Sequence, residues 1–200
     1  MKKKVKFLAI ALAALIAVAC LSACSLKNFF GPAQTDISFG TPEPASEPTA
    51  KPSGNSFKGF EVTVLDLTIT VPEGFKESPQ SADNVKVYVP GDWPAHSDNI
   101  SISFVNQADN PDNYTSASLR QLIENSLQTE VTGYKFSKDK VDGADRATAS
   151  YNVVVNGISM DQEMIVYLIG KKSTVSVTFT SVSGEFENEF AASKASIKIG

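Results

Sequence analysis

The sequence predicts an α+β fold, a largely antiparallel β-sheet flanked by helices. Three observations lead there: apolar residues that alternate with Ser and Thr in several segments, an Asn-Gly step between two apolar runs, and two stretches whose apolar residues recur at helical spacing. A period of two turns one face of a strand toward the core, whereas i, i+3, i+4 spacing gives a helix an apolar stripe.

Taken in order, Leu67, Ile69 and Val71 alternate with Thr68 and Thr70, and Ile100, Ile102 and Phe104 alternate with Ser101 and Ser103. Each reads as a strand with one apolar face. Val62 and Val64 are out of phase with Leu67-Ile69-Val71, so a bulge or tight turn is expected near Leu65-Asp66. In "SASLRQLIENSLQTEV", Leu119, Leu122, Ile123 and Leu127 form a helical stripe, and Ser118 with Gln121 fits a capping box. "YNVVVNGISMDQEMIVYLIG" reads as a hairpin turning at Asn156-Gly157, residues that accept positive φ. "MIVYLIG", residues 164–170, is apolar on both faces and is expected to be an inner strand covered on each side. Val175, Val177 and Phe179 alternate with Ser176, Thr178 and Thr180. A second helix follows in "SGEFENEFAASKASIKI", with Phe186 and Phe190 on one side, Ser183 as its cap and three glutamates near its N-terminus. Ser196-Ile197-Lys198-Ile199 then leaves in extended form.

This order of elements, together with Pro72-Glu73-Gly74-Phe75, Gly143, Phe179, Phe186, Phe190 and Ser196-Ile197, resembles the PsbP-like superfamily over residues 60–200. The family includes the photosystem II oxygen-evolving extrinsic subunit, a Ran-binding nuclear import factor and many bacterial lipoproteins of unknown role. The resemblance implies an α/β/α sandwich on an antiparallel sheet. The shared motifs are structural, so they imply a fold and no reaction.

The N-terminus has another character. Lys2, Lys3, Lys4 and Lys6 precede an uncharged run from Phe7 to Ala19, the layout of a secretory signal with a basic region and an apolar region of roughly 7–15 residues. Leu21-Ser22-Ala23-Cys24 resembles a bacterial lipobox, in which the thiol receives a diacylglycerol and the signal is cut before it. Cys20 ends a poorer match, Ala17-Val18-Ala19-Cys20, and would leave with the signal. A disulfide between Cys20 and Cys24, the only two cysteines, would staple nothing. The expected division is therefore residues 1–23 as signal peptide, 24–56 as lipidated Cys24 and tether, and 57–200 as the folded domain. Between Ser25 and Ser56, Pro32, Pro42, Pro44, Pro48 and Pro52 mix with Ser, Thr, Ala and Glu, a composition expected to stay disordered. Phe29, Phe30, Ile37 and Phe39 are its apolar exceptions. A tether of this length suits passage through a cell wall or periplasm, and the domain is expected on the outer side of the cytoplasmic membrane, in a bacterium with a thick wall.

Removing the signal takes four of the 18 basic side chains and none of the 22 acidic ones, leaving 14 against 22 and a net charge of −8. A chain so acidic repels a phosphate backbone, so no nucleic-acid partner is expected. Two acyl chains, not charge, would hold it to the membrane.

Chemistry leaves few marks. Ser97-Asp98-Asn99 and Ser137-x-x-Lys140 match pieces of serine β-lactamase motifs, but in inverted order and without the Lys-Thr-Gly that should follow. "NQADNPDN", residues 106–113, carries oxygen ligands but lacks the D-x-D-x-D-G spacing of a calcium loop. His96 is the sole histidine, so no His pair for zinc exists. It sits in "PGDWPAHSDN" with Asp92, Trp93 and Asp98, and an exposed indole among acidic groups would hold a sugar or a cation. The same loop also serves as an ordinary turn with Trp93 closing the core edge. Asp92, Trp93, His96 and Asp98 are the only candidate binding residues; no catalytic residue, metal or cofactor is assigned. The expectation is a monomeric, lipid-anchored, non-enzymatic module that binds an envelope protein or small ligand. Its rivals are a carboxylate-based envelope hydrolase and the substrate-binding lipoprotein of an import system. Cys24→Ala is expected to leave the protein with its signal retained or released to the medium, without acyl mass on residue 24. Membrane association at the wild-type level would instead mark the N-terminal segment as a transmembrane helix.

Overall fold

The computed structural model describes residues 57–93, 97–107, 109–170 and 173–200. Cys24, the signal and the tether lie outside them, as does His96. Two antiparallel sheets are present among the described residues. The smaller contains β1 (Gly59–Val64), β2 (Leu67–Pro72) and β10 (Lys198–Ile199), with β2 in the middle. The larger has seven strands in the order β3-β4-β5-β9-β8-β7-β6. These are β3 (Phe75–Glu77), β4 (Val85–Pro90), β5 (Asn99–Val105), β6 (Thr132–Val141), β7 (Ala144–Val155), β8 (Ile158–Ile169) and β9 (Ser173–Ser181). Two α-helices, α1 (Ser116–Leu127) and α2 (Glu187–Ala195), complete the fold.

The out-of-phase valines resolve into a two-residue turn. Val64 pairs with Leu67 and Val62 with Ile69 across Leu65-Asp66, and Leu65 takes a φ of 54°. The Asn156-Gly157 hairpin is also a two-residue turn, with φ of 52° and 82° and Val155 opposite Ile158. Positive φ at both central residues matches the twist of the flanking strands. Asp142-Gly143 repeats this geometry between β6 and β7, with φ of 51° and 80°.

As its two apolar faces require, β8 is an inner strand. Met160, Met164, Val166 and Leu168 pack on one face with Leu119, Leu122 and Ile123 of α1. Ile165, Tyr167 and Ile169 pack on the other with Leu67, Ile69 and Val71 of β2 and Phe190 of α2. The layers are therefore α1, the seven-stranded sheet, and then α2 beside the small sheet. β6, the outermost strand, carries Lys135, Lys138, Asp139 and Lys140, charges of the kind that keep an edge from recruiting foreign strands.

Helix entry differs from the sequence reading. The capping box of α1 is Thr115 with Ser118, not Ser118 with Gln121: the Thr115 hydroxyl accepts from the Ser118 amide at 3.2 Å, and the Thr115 amide donates to the Ser118 hydroxyl at 2.9 Å. Ser at the third helical position thus does the work of Gln or Glu. Nor does Ser183 cap α2. Phe186 occupies that position without a side-chain bond, and Ser183 Oγ accepts instead from the Glu185 amide at 3.1 Å. Glu187 and Glu189 lie in the first turn, where the helix dipole favours them. At the other end of α2, Ser193 Oγ donates to Thr70 O at 2.7 Å and the Thr70 amide donates to Ser196 Oγ at 2.8 Å. These bonds fasten α2 to β2.

The Asp98 carboxylate is wholly buried at the start of β5. Its Oδ1 accepts from the amides of Val182 and Ser183 at 3.0 and 3.3 Å, joining β5 to the β9–α2 connection. Asp98→Ala removes the acceptor of two part-buried backbone amides and should cost about 1–3 kcal/mol, read as a lowered Tm. Asp98→Asn keeps an acceptor and should cost less. On the β6–β7 hairpin, Arg146 holds the Asp139 carboxyl below its ordinary range through a side-chain hydrogen bond. A depressed folded-state pKa gives stability that is present above the unfolded value and lost as pH falls through the folded one. Because the pair is partly exposed, Asp139→Asn should cost under about 1 kcal/mol at neutral pH. It should also flatten the acid limb of a stability–pH curve below about pH 4.

Candidate functional site

Of the loop residues proposed from sequence, His96 lies outside the described residues, and the other three differ in their surroundings. Asp92 is exposed on the turn that follows β4, and Trp93 is half-buried, packed against Val85, Val87 and Val89. Asp98, expected on an exposed loop, is turned into the protein and engaged by backbone amides 84 and 85 residues away. Asn99 is buried as well, its side-chain Nδ2 donating to Ser97 O at 3.1 Å. The calcium-like segment spends its polar groups on local turns. Asp109 Oδ1 accepts from the Asn110 amide and from Asn113 Nδ2, and Asn110 caps the short helix Pro111–Asn113. Among the described residues, no three His, Cys, Asp or Glu side chains stand together as metal ligands.

A cleft of about 400 Å³ lies elsewhere, between α2 and the strands β6 to β9. Its origin is a fault in the β6–β7 ladder, where register shifts between Thr132 and Lys135. The extra residue bends the strand, as bulges do beside functional surfaces. Gly133 is required at the bulge. Its φ is 60°, and a Cβ there would stand 2.4 Å from Asn152 Oδ1. On the opposite wall, α2 is fixed by its bonds to β2.

Phe179 and Phe190 give the cleft its apolar surface, with ring centroids 5.5 Å apart. Around them stand Lys135, Asp161, Glu163, Glu187 and Lys194. Lys194 Nζ donates to Glu163 Oε2 at 2.7 Å and lies 5.7 Å from the centre of the Phe179 ring, so its ammonium is held by a carboxylate and an aromatic face together. Asp161 accepts from the side-chain amide of Asn152, its cross-strand partner. Asp161 and Glu163 are two apart on β8 and face the cleft on the same side of the sheet. Behind them, Tyr151 OH donates to Gln162 Oε1 at 2.8 Å, and Gln162 Nε2 donates to Thr180 Oγ1 at 3.1 Å. Burial pushes the Tyr151 hydroxyl far above its ordinary value, so it remains a donor and locks this chain of bonds.

None of these residues was proposed from sequence as part of a site; Phe179 and Phe190 were read as structural. The readable signal was "MDQEM", where Asp161 and Glu163 interrupt an otherwise apolar strand at period two. Such alternation also describes a strand with one solvated face, so the cleft becomes apparent only when α2 and the bulge are in place.

Neither a protein-family model nor a curated protein matches the sequence. Solved structures do resemble it. Cyanobacterial PsbP (CyanoP) from Synechocystis sp. PCC 6803 is 12% identical with a TM-score of 0.54, over 76% of this chain and 98% of that one. LpqN of Mycobacterium tuberculosis, described as involved in cell envelope biogenesis, is 14% identical with a TM-score of 0.46, over 72% of this chain and 92% of its own. A Bacteroides thetaiotaomicron protein is 17% identical with a TM-score of 0.43 over 68% of this chain, and the match spans 45% of that longer protein. At such identities the likeness to CyanoP concerns architecture alone, and in architecture the chain is an α+β protein with a PsbP-like fold.

Proposed function

We propose that the protein is an extracytoplasmic, lipid-anchored binding module that holds a small amphipathic ligand, free or displayed by an envelope component, in the cleft beside α2. The cleft carries this reading: its volume lies within the usual range of ligand sites, and two phenyl rings are surrounded by a few charged groups, the usual composition of such sites. Binding is preferred to hydrolysis in this reading because two of the three acids at the cleft already hold partners, Glu163 with Lys194 and Asp161 with Asn152. The anchor in this reading is Cys24. No helix among the described residues is long and apolar enough to cross a membrane.

The test is native mass spectrometry of the protein purified from its own envelopes, set against an Asp161→Asn/Glu187→Gln double variant. Both side chains are exposed, so the variant should melt within a few degrees of wild type, each substitution costing under about 0.5 kcal/mol. A small molecule bound one-to-one to the wild type and absent from the variant is expected. Identical spectra for the two proteins would remove the cleft as the site. Lys194→Met provides a second reading: it breaks the Glu163 pair while keeping most of the stem's packing, and should weaken retention of the same molecule.

A further inference from the structure

The charges that line the cleft are not evenly mixed. Lys194 and Glu163 cancel one another through their bond from α2 to β8. Asp161 accepts from the side-chain amide of Asn152, a neutral group, so its charge stays uncompensated. Lys135 enters from β6 on one wall, and Glu187 from the first turn of α2 on the other. Once the pair is set aside, the described lining carries two acids and one ammonium, each exposed.

Strand register keeps the two signs apart. Lys135 lies opposite Ser150, Ser150 opposite Glu163, and Glu163 opposite Phe179, a single row across the sheet. Asp161 belongs to the next row on the same face, with Asn152 and Ser181. β9 ends at Ser181 and α2 begins at Glu187 after a short connection, so the helix starts at the Asp161 row. It then runs back over the strands. Seven residues, about 10 Å of helix, carry it from Glu187 to Lys194, whose ammonium rests on Phe179 in the Lys135 row. Asp161 and Glu187 therefore make an acidic end. Lys135 stands two strands from Glu163, about 10 Å away across the sheet, and makes a basic one. Phe179 and Phe190 supply apolar surface between the walls.

Taking the cleft to be the ligand site, as proposed above, we infer that its ligand is an ω-ammonium carboxylate. Its ammonium faces Asp161 and Glu187, its alkyl stem lies along the phenyl rings, and its carboxylate reaches Lys135. A simple amine leaves Lys135 unmet, and a simple carboxylate leaves both acids unmet. An α-amino acid with an apolar side chain carries its two charges side by side and serves one end only. The cleft already holds one group of the required kind: the Lys194 side chain is an alkyl stem whose ammonium is shared between a carboxylate and an aromatic face. Free lysine and the C-terminal lysine of a peptide both present the inferred chemistry.

The test uses the mature protein in detergent at neutral pH and low salt, with NMR titrations read at the Gly133 and Ser181 amides. The probes are ε-aminocaproate, its isomer norleucine, hexanoate and hexylamine. ε-Aminocaproate should bind about tenfold more tightly than each of the others, since two part-exposed charge contacts together are worth about that factor. Lys135→Met should lower its affinity to that of hexylamine, and Asp161→Asn/Glu187→Gln should lower it to that of hexanoate. Tighter binding of Nα-acetyllysine than of lysine assigns the ligand to a peptide end, and the reverse order assigns it to the free amino acid. Equal binding of ε-aminocaproate and norleucine overturns the inference, as does an unchanged preference in Lys135→Met or a failure of every probe to bind. If the wild type still retains an envelope molecule that the double variant loses, those results leave the cleft standing as a site for another ligand. Loss of that difference removes the cleft itself.

Discussion

The second half of β8 and nearly all of β9 carry apolar or small side chains on both faces, and neither stretch has a face that tolerates water. Nearly all of β9 and the second half of β8 are buried. A sheet with such a centre is stable only if both of its surfaces are covered. α1 provides one cover through Leu119, Leu122 and Ile123, and the small sheet with α2 provides the other through Leu67, Ile69, Val71 and Phe190. Every later feature follows from this double demand. α2 must lie flat on the sheet to bury Phe190, the ties from Ser193 and Ser196 to Thr70 hold it there, and the cleft is the space left where the bulged β6–β7 hairpin bends.

The elements whose character lies in their own side chains were legible in the sequence. Leu67-Ile69-Val71, Ile100-Ile102 and Val175-Val177-Phe179 advertise their strands by period, and Asn156-Gly157 advertises its turn by conformational preference. Features that depend on a distant partner were not. β6 escaped notice because its outward residues are charged, as suits an edge, and because its ladder is broken at Gly133. Asp98 reads locally as a turn residue, and only the arrival of Val182 and Ser183 makes it a buried anchor. The start of α1 was misread by three residues because Ser118 accepts and donates equally well, so a box built on Thr115 resembles one built on Ser118 itself.

The cleft and the opposite face of the large sheet treat polar groups in opposite ways. In the cleft, charges are paired or half-paired within reach of water: Lys194 rests on Glu163 and Phe179, and Asp161 on Asn152. Such groups exchange partners at small cost, because solvent screens what is lost. On the other face, the hydroxyls of Ser101, Ser103, Ser176 and Thr178 are shut away with nothing to bond. A buried polar group has no such alternative, so its neighbours must match its geometry. One surface is built for exchange and the other is closed to it.

The position of β1 bears on mechanical load. Among the described residues it is the outermost strand of the small sheet, the first strand in chain order, and it pairs only with β2. That pairing runs antiparallel from Gly59–Pro72 at its open end to Val64–Leu67 at the turn. A pull arriving through Phe57 is therefore borne first by the Lys58–Glu73 bond, then by Gly59–Pro72, then by each pair in turn. The strand peels as a zipper opens; its bonds do not share the force as a sheared ladder would. Releasing its six residues would lengthen the connection by about 20 Å, while β5, β9, β8 and β7 keep their pairing. A domain pulled from its N-terminal side thereby has an extensible first strand, and strain is taken up there before it reaches the cleft.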